Sequence, residues 1–133
     1  MATNYAASIT SFVAGDFKQI AWEATLPTNS QVSKAWLTIK ANETDLDVNA
    51  IIQKEITTVL ATGEGHITDS GSVDGIAAGF FNMLETETID ITPLTPMYYD
   101  IQLLLLMTDA TTRVATVEKG SVQTLQGITD AVT

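Results

Sequence analysis

The chain has no cysteine, a single histidine, three prolines and only six lysines and arginines in 133 residues. Without cysteine there is no disulfide, no thiolate nucleophile and no zinc–thiolate site. One histidine, His66, means that any histidine-based catalysis would run through that residue. The six cations face sixteen aspartates and glutamates, a formal net charge of −10. Such a surface repels phosphate, so nucleic-acid binding is not expected. No apolar run is long enough to span a membrane, because Leu103–Leu106 falls far short of the roughly 20 residues a spanning helix needs. The N-terminus, Met1-Ala-Thr-Asn-Tyr-Ala-Ala7, has no cationic region ahead of an apolar run, so no secretory leader is expected.

What is present favours strands. Threonine, valine and isoleucine are abundant, and their branched side chains suit a pleated surface. A chain of this length forms one domain over 1–133 and buries about two thirds of its unfolded surface without a staple. Ser8–Val13 predicts a first short strand, and Gly15-Asp16 a turn. From Lys18 to Leu26, Ile20, Trp22, Ala24 and Leu26 alternate with Ala21, Glu23 and Thr25, a half-buried strand with Trp22 inward. Pro27–Ser30 is a turn cluster. Ala35, Leu37 and Ile39 then alternate with Trp36, Thr38 and Lys40, which puts Trp36 on the opposite face.

Asn42–Ala50 is polar and reads as a loop with one helical turn. Ile51–Thr58 and Val59–Thr68 predict two further strands, the second around Gly63-Glu-Gly65. Asp69–Gly75 is a flexible loop by composition. Gly75–Leu84 is ambiguous between strand and short helix, since its apolar residues run together. Thr88–Thr92 predicts a short strand, and Thr108–Thr112 a hairpin connection. Arg113–Glu118 and Ser121–Leu125 close the chain, with a bulge or bend expected at Gly120. Eight or nine mostly antiparallel strands with frequent turn signals predict an all-β sandwich.

The most informative stretch is Met97–Met107, entered through Pro93-Leu-Thr-Pro96. Tyr99, Ile101, Leu103, Leu105 and Met107 share one face at period two. Tyr98, Asp100 and Gln102 start the other face as polar, but Leu104 and Leu106 finish it as apolar. Burial of that second half needs a cover: a loop, a neighbouring layer or another subunit.

The order of landmarks adds a resemblance. Phe12-Val-Ala-Gly-Asp16 is followed by Ala35-Trp-Leu-Thr-Ile-Lys40, by Asp45 and Asp47, and by Ile51-Ile-Gln-Lys54. Gly65-His-Ile67, Leu94-Thr-Pro-Met-Tyr-Tyr-Asp-Ile-Gln102, Val114-Ala-Thr116, Glu118-Lys-Gly-Ser-Val122 and Ile128-Thr129 come next. This run resembles a small immunoglobulin-like domain of tailed-bacteriophage tail and baseplate structural proteins, similar to the N-terminal domain of upper-baseplate proteins. The resemblance covers about Phe12 to Thr129 and implies an immunoglobulin-like antiparallel β-sandwich. The chain departs from that pattern in the hairpin Thr108–Thr112, which lacks the usual glycine, and in the apolar Leu104 and Leu106. Leu94-x-Pro96 ahead of a tyrosine also resembles the corner of fibronectin-type and immunoglobulin-type sandwiches, where a tyrosine hydroxyl bonds back to the corner backbone. Tyr99, on the apolar face, is the expected donor; the alternative is that Tyr98 and Tyr99 are plain strand residues.

No constellation of residues reaches the pattern of a catalytic or metal centre. Asp45-Leu-Asp47-Val-Asn49 matches the start of an EF-hand loop, but Ala50 replaces the required glycine and Ile56 the distal glutamate. No G-x-S-x-G surrounds any serine that His66 would serve. Glu85, Glu87 and Asp90 are spaced across a strand start rather than in a cleft. Gly63-Glu-Gly65 lacks the Lys-Ser/Thr of a phosphate loop. Asn42-Glu-Thr44 is a glycosylation sequon.

The expectation is therefore a non-enzymatic protein without cofactor or metal. The resemblance implies a virion structural protein, a tail, baseplate or capsid-surface adaptor. It would assemble with other virion proteins, as a homo-oligomer or multi-copy ring, with neither nucleic acid nor membrane as partner. The candidate interface residues are Leu104, Leu106, Trp36 and Tyr98. The alternative is a carbohydrate-binding module for host-surface recognition, with Trp36 and Tyr98 stacking on sugar rings.

Overall fold

In the computed structural model, which describes residues 11–92, 94 and 96–125, the alternating segments become strands of two facing sheets. The strands are β1 (Ser11–Val13), β2 (Lys18–Thr25), β3 (Ser30–Lys40), β4 (Ile52–Ile56), β5 (Gly65–Asp69), β6 (Ile76–Met83), β7 (Pro96–Met107) and β8 (Thr112–Leu125). One sheet has the order β1-β8-β7-β3-β4 and the other β2-β6-β5. All pairings are antiparallel except β1 with β8. This is the arrangement of an immunoglobulin-like sandwich. In its lettering β2, β6 and β5 are B, E and D. β3, β7 and β8 are C, F and G, and β4 extends that sheet as C′.

The core lies between the sheets and follows the period-two pattern. Ile20, Trp22 and Ala24 from β2, Ala35, Leu37 and Ile39 from β3, and Tyr99, Ile101, Leu103 and Leu105 from β7 are all buried. β6 resolves as a strand: Ala77, Gly79, Phe81 and Met83 face inward, and Gly79 lies opposite Trp22. The loop Ser70–Gly75 is bonded at several points. The Val32 amide donates to Ser70 O at 2.8 Å, the Leu26 amide to Gly75 O at 2.8 Å, and the Gly71 amide to the Asp69 carboxylate at 2.8 Å.

Several expectations are corrected. Residues 8–10 of the first predicted strand, and Pro93 and Thr95 of the proline corner, lie outside the described residues. No strand forms at Thr88–Thr92. Instead a single helical turn, α1 (Glu85–Thr88), leads into a bend, and Ile89 is exposed. The strand expected within Val59–Thr68 is β5, which starts only at Gly65, after a turn over 62–64. The bulge in β8 sits at Val117, not Gly120. The ladder steps from Ile101↔Glu118 to Gln102↔Thr116, leaving Val117 as the extra residue. Gly120 serves Tyr99 instead, because a Cβ there would stand 3.3 Å from the tyrosine ring. The Tyr99 hydroxyl donates to the buried Glu118 carboxylate on β8.

Candidate interface on the five-stranded sheet

Three rows of side chains cover the hairpin half of the outer face of β8, β7, β3 and β4. The register sets Thr112, Leu106 and Gln31 in one row, and Val114, Leu104 and Lys34 in the next. Thr116, Gln102, Trp36 and Glu55 make the third. The centre of these rows is apolar: Leu104 is half-buried, Leu106 is 36% exposed and Val114 is 61% exposed. Among the described residues no element of the chain packs over them. The cover that Leu104 and Leu106 require is not supplied by this part of the chain.

The rim is polar and partly locked. The Trp36 indole N–H donates to Glu55 Oε1 at 2.9 Å, while Lys34 Nζ stands 3.7 Å from Glu55 Oε2. Gln102 Nε2 donates to Thr116 Oγ1 at 3.3 Å. A hollow of about 230 Å³ runs between Trp36, Thr38, Asp47, Gln53, Gln102 and Val114.

The other half of the face is charged. Lys119, Asp100, Thr38 and Gln53 form a row, and Ser121, Tyr98 and Lys40 the row beyond it. Burial pushes the Asp100 carboxyl above its ordinary value, with Lys40 pulling it back. Lys40 Nζ donates to Asp47 Oδ1 at 2.8 Å and to the Asp45 carbonyl at 2.8 Å. The hydrogen bond to Asp47 holds the Lys40 ammonium above its usual range. The acidic loop thus folds onto a lysine, and Asp45 Oδ2 accepts from the Asn42 amide at 3.1 Å. Among the described residues no group of three or more His, Cys, Asp or Glu stands close enough together to hold an ion.

Tyr98 is 39% exposed and shares the outer face with Trp36. Trp36 lies opposite Gln102, so the two rings are four residues apart along β7, about 13 Å. The Thr38–Asp100 row lies between them. They do not form one stacking platform.

The remaining sequence candidates are dispersed. His66 sits on edge strand β5, its Nε2 2.8 Å from Thr58 O and its ring edge-on to Phe80. Glu87 turns inward from α1 to Lys54, and its other oxygen accepts the Leu84 amide at 2.7 Å. Lys54 itself was not anticipated. The alternation of β4 aims it between the sheets, where its side chain is 1% exposed. Its ammonium donates to Gly63 O at 3.0 Å, to Glu64 Oε2 at 3.1 Å and to the Glu87 carboxylate. All three donors are thereby used.

Val114 was also missed as part of the apolar rows. The signal was the short Thr108–Thr112 connection: folding the chain back on itself there sets Val114 beside Leu104.

No family model and no curated protein matches the chain. Solved structures do match in fold. One is a chain from a structure of T cell specificity and activation by the bacterial superantigen toxic shock syndrome toxin-1. It is similar over 94% of this chain and 98% of that one, at 10% identity and a TM-score of 0.51. Murine CRIg is similar over 93% of this chain and 95% of its own, at 11% identity and a TM-score of 0.43. AggA, the major subunit of aggregative adherence fimbriae type I from Escherichia coli, is similar over 93% of both chains, at 7% identity and a TM-score of 0.38. At such identities the likeness speaks to fold alone, and the fold is an immunoglobulin-like β-sandwich.

Proposed function

We propose that this chain is a non-enzymatic structural protein of a tailed-bacteriophage particle, an adaptor of tail, baseplate or capsid surface. It works by protein–protein assembly through the outer face of its five-stranded sheet. The observation that carries the assembly role is the set of apolar side chains, Leu104, Leu106, Val114 and the flank of Trp36, in the middle of a strand face that the described chain leaves open. Burying such side chains yields about 1.5–3 kcal/mol each before the costs of association. The phage setting is supported by the order of motifs from Phe12 to Thr129, the YDIQ strand above all. The carbohydrate-binding alternative draws on exposed Tyr98 and on Trp36, but their separation and the bond from Trp36 to Glu55 favour a protein partner.

The test is a mass-spectrometric inventory of purified particles from cells supplying either the native chain or the Leu104→Asp, Leu106→Asp chain. The native chain is expected in multiple copies and the folded variant at background. Absence of the native chain from particles, or its retention on a glycan array through Trp36 and Tyr98, overturns the proposal.

A further inference from the structure

A groove of about 810 Å³ lies at the hairpin end of the sandwich, between the turns that join β2 to β3, β5 to β6 and β7 to β8. That volume is in the range of sites that hold a ligand. The three turns are bonded to one another, so the walls are fixed. The Leu26 amide donates to Gly75 O at 2.8 Å, and the Thr108 amide to Asn29 O at 3.0 Å. Two of the three non-glycine residues with left-handed backbone among the described residues line this groove, Asn29 at φ 64° and Ala110 at φ 70°. Such strained backbone gathers at sites that clamp a ligand.

The lining selects the occupant. Neither lysine nor arginine lines the groove, so an anion meets no counter-charge there, and the net charge of −10 repels it. No aromatic ring lines it, so a sugar ring has no platform to stack on. What remains is aliphatic surface, uncharged hydrogen-bonding groups and a carboxylate. Val73 is 96% exposed at the rim. The side chains of Thr28, Asn29, Ser72 and Thr108 hold no hydrogen bond among the described residues. Asp74 accepts the Ile76 amide at 3.0 Å and has no ion-pair partner among the described residues. Asp69, at the base of the same turn, adds a second negative charge, while Asp109 of the hairpin is bonded to Thr111 and attracted by Arg113. Hydroxyl and amide side chains suit the main chain of an extended peptide, aliphatic ones its alternate side chains, and Asp74 a lysine or arginine.

The groove opens onto the face proposed for assembly. Leu106 and Gln31 belong both to its wall and to the first row of that face. A partner seated on the rows therefore lies beside the groove. Resting on the proposed assembly role, we infer that the groove receives an extended segment of the partner protein. In that segment aliphatic residues alternate with lysine or arginine, and one cationic side chain meets Asp74.

Three heptapeptides test this against the purified full chain by amide chemical-shift mapping: valine alternating with lysine, with serine or with glutamate. The lysine peptide is expected to bind several-fold more tightly than the serine peptide and to shift the amides of Ser72, Asp74 and Thr108. The glutamate peptide is expected to leave them unmoved. Asp74→Asn keeps an acceptor for Ile76 but removes the charge, and is expected to weaken the lysine peptide by up to about fivefold, the worth of an exposed ion pair. Val73→Ser, at a fully exposed position, is expected to weaken it as well. Glu85→Gln removes an equal charge on α1, at the opposite end of the sandwich, and is expected to change nothing. A lysine peptide no tighter than the serine one overturns the inference. So do shifts confined to other parts of the chain, or equal weakening by Asp74→Asn and Glu85→Gln. So does maltohexaose shifting the same amides where the lysine peptide does not. If the peptides fail while the Leu104→Asp, Leu106→Asp chain is excluded from particles, the groove inference falls and the assembly role stands. If the lysine peptide binds as expected but that variant enters particles normally, the groove stands and the assembly role falls.

Discussion

A Cβ placed on Gly79 would stand 2.8 Å from Cζ2 of Trp22. The glycine is the space into which the largest buried side chain packs. Gly79→Ala should therefore destabilise by about 1–3 kcal/mol through overpacking. Trp22→Ala should cost more, about 3–5 kcal/mol, through the cavity it leaves. Urea midpoints for both variants, against an exposed Lys18→Ala control, check the pairing. A Trp22→Ala midpoint equal to the control contradicts it.

Lys54 ties β4 to the turn before β5 and to α1. Glu87→Ala removes one ammonium partner and the acceptor of the Leu84 amide, a loss of about 2–4 kcal/mol. Glu87→Gln keeps an acceptor for Leu84 and should lose less. Lys54→Met replaces the buried ammonium with apolar volume and leaves two carboxylates that reach water, so it should also cost less than Glu87→Ala. Chemical denaturation ranks the three, and Lys54→Met as the worst of them refutes this account of the cluster.

Ala110 in the β7–β8 hairpin adopts φ 70°, a left-handed conformation that penalises a Cβ. Here a glycine would relieve strain at some cost in unfolded-chain entropy. Ala110→Gly is expected to raise stability by up to ~1 kcal/mol, read as a higher thermal midpoint. A lowered midpoint contradicts the strain argument.

Asp100 binds its proton more tightly in the folded chain than in the unfolded one, because burial raises its carboxyl. Its ionisation therefore opposes folding. The stability linked to its proton is complete below the unfolded value and is lost as pH rises through the folded one. Asp100→Asn cannot ionise, so its stability relative to the native chain should improve as pH rises from strongly acid toward neutral. Denaturation of both chains across that range checks the sign; a difference that is flat or falling with pH contradicts it.

Trp22 and its face were legible in the sequence because alternation alone selects them. So were the opposed faces of Met97–Met107, and with them Leu104 and Leu106. What escaped depended on pairing rather than pattern. Lys54 breaks an apolar alternation, and only the approach of Glu64 and Glu87 explains a lysine there. Glu118 faces inward because the bulge at Val117 reverses the parity of β8. β6 blurred the pattern because Phe80, on the outer face, is itself half-buried against His66. The four-residue α1 is too short to show a helical period. Val114 joined the site only once the hairpin register was known.

The central claim is that the hairpin half of the five-stranded face is covered by protein in the assembled state. Hydroxyl-radical footprinting of assembled particles and of the free chain measures that cover residue by residue. The account predicts that Trp36, Leu104, Leu106 and Val114 lose labelling on assembly, while the exposed Val59, Leu60 and Ile89 keep theirs. Equal labelling of the four residues in both states would contradict it.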